Sequence, residues 1–250
     1  MAVARAMLLV KALFLVSLAS VVTPLDGAPS GLAVIPQVVG PATKPVTKPN
    51  ELAQGAPLYV VSMGALIGRR TVLTAAHCVD PRLGGPSDAD LKKSFVRVGG
   101  NQRTKGRQYK VQGYQVHPRS IATGEYWPVD LAVLYLKEAI DLDKRRDVAV
   151  AQLGKRGQIK ANQLVSFAGW APPISITGVP RFYFAQTRVA TTKQCNTRAP
   201  EEWFNPALEW CLSVNDKAAF CGGDSGSAMY TIGKTGGKPT AFIHGIYTVR

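Results

Sequence analysis

The sequence predicts an all-β protein, a sandwich or a pair of barrels built from short antiparallel strands. Three observations point there. The 250 residues include 24 glycines and 17 prolines, which break the chain often and leave little room for long helices. Short apolar runs recur between turn signals from Leu58 onward. The composition, 46% hydrophobic and 18% charged, is that of an ordinary globular chain and argues against a disordered, collagen-like or coiled-coil protein. The length suits one large domain or two small ones.

The chain opens on a short basic start (Arg5), an apolar run from Met7 to Val22 interrupted by Lys11, and small residues at Ala19, Ser20, Gly27 and Ala28. That pattern reads as a secretory signal peptide over residues 1–28, cleaved between Ala19 and Ala28. The apolar run is too short for a membrane span of about 20 residues, and no later stretch is long enough. A secreted protein with no membrane span is expected. Removing Arg5, Lys11 and Asp26 lowers the net charge from +14 only to +13, so the basic balance belongs to the remainder. The basic residues are scattered, as on a solvated face. They would tolerate an acidic glycan, but no aromatic-interleaved motif points to nucleic acid.

Residues 29–57, rich in Pro, Gly, Lys and Thr, read as an extended arm. Strands are expected over 58–63, 65–68, 71–74, 94–98, 108–116 and 131–136. A charged connector follows over 137–160, then strands over 164–170, 181–190, 209–213, 227–232 and 240–248. Residues 199–205 suit a short helix.

Three stretches carry reactive side chains. Thr71–Cys78 reads as a strand ending on His77. Trp127–Leu136 puts Asp130 at the mouth of an alternating apolar strand. Phe220–Ser227 holds Ser225 in a glycine-rich turn. A serine hydroxyl is a weak nucleophile unless an imidazole takes its proton, and a carboxylate can hold that imidazole in the needed tautomer. Glycines beside the serine let backbone N–H groups point at a developing oxyanion, one such donor being worth about 3 kcal/mol of barrier. His117 and His244 read as structural. With only three histidines and no Cys-x-x-Cys, His-Glu-x-x-His or calcium-loop pattern, no metal site is expected. An α/β-hydrolase arrangement is set aside: Ser227 stands where its motif wants glycine, and no acidic residue separates Ser225 from His244.

In their order and local sequence these stretches resemble the trypsin/chymotrypsin-like serine proteases. Thr74-Ala-Ala-His-Cys78 is similar to that family's histidine motif, Asp130-Leu-Ala-Val-Leu134 to its aspartate motif, and Gly223-Asp-Ser-Gly226 to the core of its serine motif. Val38-Val-Gly40, Val116-His-Pro118 and Gly169-Trp170 are further matches, and the resemblance covers about 38–250. It implies two antiparallel Greek-key β-barrels packed together, a short pro-segment over 29–37, a first barrel over 38–148 with His77 and Asp130, and a second over 149–250 with Ser225. It implies a secreted serine endopeptidase acting on protein or peptide substrates through an acyl-enzyme, with no cofactor. His77 would be base then acid, Asp130 its orienter and Ser225 the nucleophile. The N–H groups of Gly223 and Ser225 would form the oxyanion hole, and the freed amine of Val38 would pair with Asp224. Ala219 and Thr248 would line the substrate pocket, and Cys195 would pair with Cys211, closing a loop worth about 3 kcal/mol.

The sequence also departs from that pattern. Ala219 stands at the pocket floor where trypsins carry aspartate, which implies a small or hydrophobic preference. Cys78 and Cys221 lack their usual partners, so one bridge and two free thiols are expected, although four cysteines allow three connectivities. The strand over His244–Arg250 resembles one wall of the pocket, and the family continues through one more strand and a helix. The second barrel is therefore expected to be incomplete, with five strands and an exposed edge that invites pairing. An unfinished gene product is a further reading of that early end. Thr248 is expected to reach Asp130. Gln37 precedes Val38 where a basic residue is usual. These departures favour an alternative of another class, a non-catalytic secreted homologue that binds proteins or acidic glycans.

Overall fold

A computed structural model describes residues 9–12, 63–99, 106–120, 129–145, 148–155, 157–169, 183–196, 206–212 and 224–248. The chain is mostly β. The expected strand over 58–63, apart from Met63, and the expected helix over 199–205 lie outside the described residues.

The first sheet has five strands. They are β2 (Ala65–Gly68), β3 (Thr71–Thr74), β4 (Phe95–Val98), β5 (Arg107–Val116) and β6 (Ala132–Leu136), in the order β2-β3-β6-β5-β4 with every neighbouring pair antiparallel. β3 and β6 are the central strands. Their side chains are buried almost throughout, which explains runs such as Ala-Val-Leu-Tyr-Leu with little polar alternation. β5 bends where its register with β6 shifts between Val111 and Gly113.

The second sheet is larger. β8 (Leu164–Gly169), β9 (Tyr183–Arg188), β10 (Glu209–Cys211), β11 (Ala228–Thr235) and β12 (Lys238–Thr248) match the expected strands. β11 and β12 run longer than expected, as one hairpin closed by Gly236 and Gly237, both at positive φ. A two-residue loop with both φ values positive follows the twist of its strands, and glycine adopts it without strain. Two strands were not anticipated. β7 (Gln152–Leu153) pairs in parallel with Phe242 and Ile243 of β12. β1 (Leu9–Ala12), inside the segment read as a leader, lies between β10 and β12 and is antiparallel to both.

Two short helices were also missed. α1 (Asp88–Lys93) starts on Ser87, whose hydroxyl accepts from the Asp90 amide at 3.2 Å. α2 (Thr192–Asn196) starts on Thr191, whose hydroxyl accepts from the Gln194 amide at 3.2 Å while the Gln194 side chain accepts from the Thr191 amide at 2.8 Å. Both follow the helix-opening spacing of a hydroxyl residue and a polar partner three places on. Among the described residues no helix is long and apolar enough to cross a membrane.

One apolar core runs through both sheets, from Leu66, Leu73, Leu134 and Leu136 of the first to Tyr230, Ile243 and Ile246 of the second. A smaller cluster, Val165, Phe167, Val189, Leu212, Met229 and Tyr247, fills the far side of the second sheet. The seam between the sheets is also hydrogen-bonded: the Ala151 amide donates to the Leu66 carbonyl at 2.8 Å. This seam brings β3 and the turn before β11 together.

Candidate active site

Strand β3 ends at Thr74, and His77 sits in a single 3-10 turn over Ala76–Cys78. The sequence reading had put His77 at a strand end. The turn makes the difference: it swings the ring out of the sheet while Ala75 and Ala76, fully buried, anchor the backbone. The turn is held from behind by Asp80. Its buried carboxylate accepts from the Arg82 amide at 2.9 Å, from Nε at 2.9 Å and from the guanidinium tip at 2.6 Å. That pairing holds the Asp80 carboxyl below its ordinary range. The sequence signal was present in Asp80-Pro81-Arg82, an acid capping a turn that opens on proline, but it was not read as support for His77.

Asp130 lies two residues before β6 and is only 3% exposed. Because β6 is hydrogen-bonded to β3, Asp130 meets His77 across adjacent strand ends. Its Oδ1 accepts from the His77 amide at 2.9 Å, and its Oδ2 accepts from Nδ1 at 2.6 Å. A carboxylate only accepts, so the proton of the neutral ring is on Nδ1 and the lone pair is on Nε2. Burial of the ring works against its charge. The hydrogen bond to Asp130 and its negative charge, aided by Cys78, outweigh that effect and raise His77 above its usual 6.5.

Ser225 arrives from the other sheet. Its carbonyl accepts from the Met63 amide at 2.8 Å, and the Met63 carbonyl accepts from the Thr74 hydroxyl at 2.8 Å, three residues before His77. On its other flank the Gly226 amide donates to the Tyr247 carbonyl and the Tyr247 amide to the Ser227 carbonyl, each at 2.8 Å. The Ser227 hydroxyl donates to the Ala168 carbonyl. Gly226 has φ +89°, and a Cβ there would overlap the Met63 carbonyl oxygen and the Thr74 hydroxyl. Glycine is therefore required by both conformation and space. Asp224 and Ser225 are buried.

The expected residues thus fall into four groups. His77 and Asp130 are hydrogen-bonded, and the Ser225 turn is tied to the strand that leads to His77. Gly223, Val38 and Ala219 lie outside the described residues, as does Cys221. Thr248 is buried near the end of β12, but its hydroxyl finds no hydrogen-bond partner among the described residues. The expected reach to Asp130 is not made. Thr248 is held near the end of β12, while Asp130 accepts from the amide and ring of His77. Cys195 and Cys211 form a disulfide, with Cα atoms 5.9 Å apart.

One neighbour of the site was missed. Cys78 is a free, buried thiol, and its Sγ lies 3.5 Å from Nε2 of His77. Among the described residues no hydrogen bond joins Nε2 to the Ser225 hydroxyl; the thiol holds that position. The sequence did carry a signal, since Cys78 lacks the partner that would have tied it elsewhere. The other histidines are structural in their contacts. His117 Nδ1 accepts from the Arg119 amide at 3.1 Å. His244 is buried with its Nε2 at 2.8 Å from the Thr231 hydroxyl, and burial pushes it down to about 4.

Two mostly antiparallel sheets sharing a core, with a carboxylate-held imidazole on one and the Ser225 turn on the other, fit the two-barrel β class. The family model described as Trypsin matches residues 43–249. The chain belongs to the trypsin family, a family of serine proteases.

Proposed function

We propose that the protein is a secreted serine endopeptidase, with His77, Asp130 and Ser225 acting as one unit. The observation that carries this reading is the two-point hold of Asp130 on His77, amide and Nδ1 together. It leaves Nε2 as the acceptor, which is the state a general base needs. In the proposed reaction the Ser225 hydroxyl attacks a peptide carbonyl while Nε2 takes its proton. The oxyanion is met by the N–H groups of Gly223 and Ser225, and the imidazolium is stabilised by Asp130. Nε2 then gives its proton to the leaving amine, and water discharges the acyl-enzyme by the same route. To begin, the Ser225 hydroxyl must displace the Cys78 thiol from Nε2. Thiols are weak donors, so that exchange asks little.

The remaining assignments belong to the same proposal. Residues 1–28 are the secretion signal and 29–37 the pro-segment. The halves are 38–148 and 149–250. The Val38 amine pairs with Asp224 after processing, and Ala219 with Thr248 favours a small or hydrophobic side chain next to the cut. The position of Cys78 on Nε2 favours a second reading, a secreted homologue that binds protein or acidic glycan without catalysis.

A fluorophosphonate probe separates the two. Processed protein is treated beside trypsin and beside a Ser225→Ala variant. An adduct mapped to Ser225 and missing from the variant is expected. Processed, folded protein that stays unlabelled while trypsin reacts would leave only the binding reading.

A further inference from the structure

The fold gathers positive charge on the outer face of the first sheet. Residues 91–124 hold eight Lys or Arg and no Asp or Glu. Within that stretch β4 and β5 pair with Phe95 opposite Lys110 and Arg97 opposite Gln108. Cross-strand partners point to the same side of a sheet. Here that side faces solvent: all four residues are exposed, while Tyr109 and Val111, which flank Lys110, are buried. The Lys137 amide donates to the Lys110 carbonyl at 2.9 Å, one step beyond the pair of Val111 with Leu136. Lys137 is exposed next to buried Leu136, so it extends the row of Phe95 and Lys110 onto a third strand.

This row is uncompensated. Like charges directly opposite each other on a sheet are destabilising. Among the described residues, Arg97, Lys110 and Lys137 have no carboxylate within ion-pair distance. The acids of neighbouring segments are engaged by other groups. Asp88 accepts from the Tyr114 hydroxyl at 3.0 Å, Asp90 from the Ser87 hydroxyl at 2.6 Å, and Glu138 stands 3.9 Å from Arg107. Arg97 is also held in place. Its guanidinium carbon lies over the Phe95 ring, 4.9 Å from the centroid, and the Gln108 amide oxygen, turned toward it, accepts at 2.6 Å. A planar guanidinium fixed in this way suits the paired oxygens of an anionic group.

We infer that this face is a docking surface for a sulfated polysaccharide. Arg97, Lys110 and Lys137 meet sulfate groups, and Phe95 packs against a sugar ring. Charge complementarity asks for a polyanion. Lys110 and Lys137 stand on neighbouring strands about 4.8 Å apart, which asks for closely spaced anions; a glycan with one carboxylate per disaccharide spaces them too widely. Single-stranded nucleic acid stacks successive bases on several aromatic side chains, whereas on β4 and β5 only Phe95 is exposed. The inference rests on the extracellular placement given under the proposed function, and not on catalysis.

Calorimetry with a heparin octasaccharide at physiological ionic strength tests it on the full chain. One variant combines Arg97→Gln, Lys110→Gln and Lys137→Gln. A control removes as much charge from exposed lysines elsewhere, through Lys155→Gln, Lys160→Gln and Lys238→Gln. The first variant should bind roughly tenfold more weakly than the parent or worse, the loss expected of three exposed charge contacts, and the control should stay within about twofold. Hyaluronan and single-stranded DNA of matched charge should bind the parent more weakly than heparin. A parent that does not bind heparin, or equal losses in the two variants, overturns the inference. Hyaluronan or DNA bound as tightly as heparin overturns the choice of partner. Expression with the native leader reads the placement separately: a chain kept inside cells overturns the extracellular reading and the inference with it, whereas failure to bind heparin by a chain found in the medium overturns the docking surface alone.

Discussion

Gly226→Ala isolates the turn that delivers Ser225. An L-residue in the left-handed region costs about 1–2 kcal/mol, and Gly226 sits at φ +89°. The added Cβ would also stand 3.0 Å from the Met63 carbonyl carbon and overlap its oxygen. That carbonyl is part of the backbone and cannot rotate aside. Moving it breaks its bond from the Thr74 hydroxyl and strains the bond from the Met63 amide to the Ser225 carbonyl, both 2.8 Å. At about 1 kcal/mol for each bond, the total loss is about 3–4 kcal/mol. Set against a typical domain stability of about 5–15 kcal/mol, the variant should still fold. Urea unfolding measures the loss, and probe labelling at Ser225 reports the turn. The variant should be less stable by that amount and label at least about tenfold more slowly. A Gly226→Ala protein within about 1 kcal/mol of the parent, labelling at the parent rate, would refute the view that this contact positions the serine.

Two further outcomes follow from titration. His244 falls from 6.5 to about 4 on folding, so the folded state favours the neutral ring. Its contribution is fully present above pH 6.5 and is lost as the pH falls toward 4. At 1.36 kcal/mol per pH unit that is about 3 kcal/mol. Between pH 7 and pH 4 the parent should lose about that much stability relative to a His244→Gln variant, and parallel curves would count against a buried neutral ring. His77 is shifted the other way. Replacing Asp130 by Asn removes the negative charge that raises it and weakens the hydrogen bond, so that burial is opposed mainly by Cys78. The rising limb of kcat/KM against pH should move to lower pH, and the rate should fall by roughly 10^4, the size typical of amidating such an orienting carboxylate. A limb that stays in place would mean that Asp130 does not set the charge of the ring.

What could be read before the structure was whatever rested on repeated or paired signals. β3 and β6 announce themselves as Thr-Val-Leu-Thr and Ala-Val-Leu-Tyr-Leu, and their antiparallel pairing is what brings Asp130 to His77. The disulfide between Cys195 and Cys211 followed from family likeness and is present. Short elements were missed because their cues are short. β7 is two residues long and exists only because Phe242 and Ile243 pass beside it. α1 and α2 each begin on a hydroxyl residue with a polar partner three places on, a cue that was present and unread. The place of Leu9–Ala12 was invisible for a different reason. An apolar run near the start of a chain reads as a leader, and its pairing depends on walls contributed from beyond residue 200. The thiol on His77 Nε2 was equally hidden. Cysteine spacing shows which bridge is missing, but not where the orphaned sulfur turns.

The core that runs from Leu73 and Leu136 through to Ile243 and Ile246 has a consequence for any attempt to take the molecule apart. Neither half owns this larger cluster. A hybrid joining one half of this chain to the complementary half of a distant relative would inherit mismatched packing at the seam, beside which His77, Asp130 and Ser225 stand. Compatibility between the halves would have to be restored at these buried aliphatic positions before any choice of surface loops could matter.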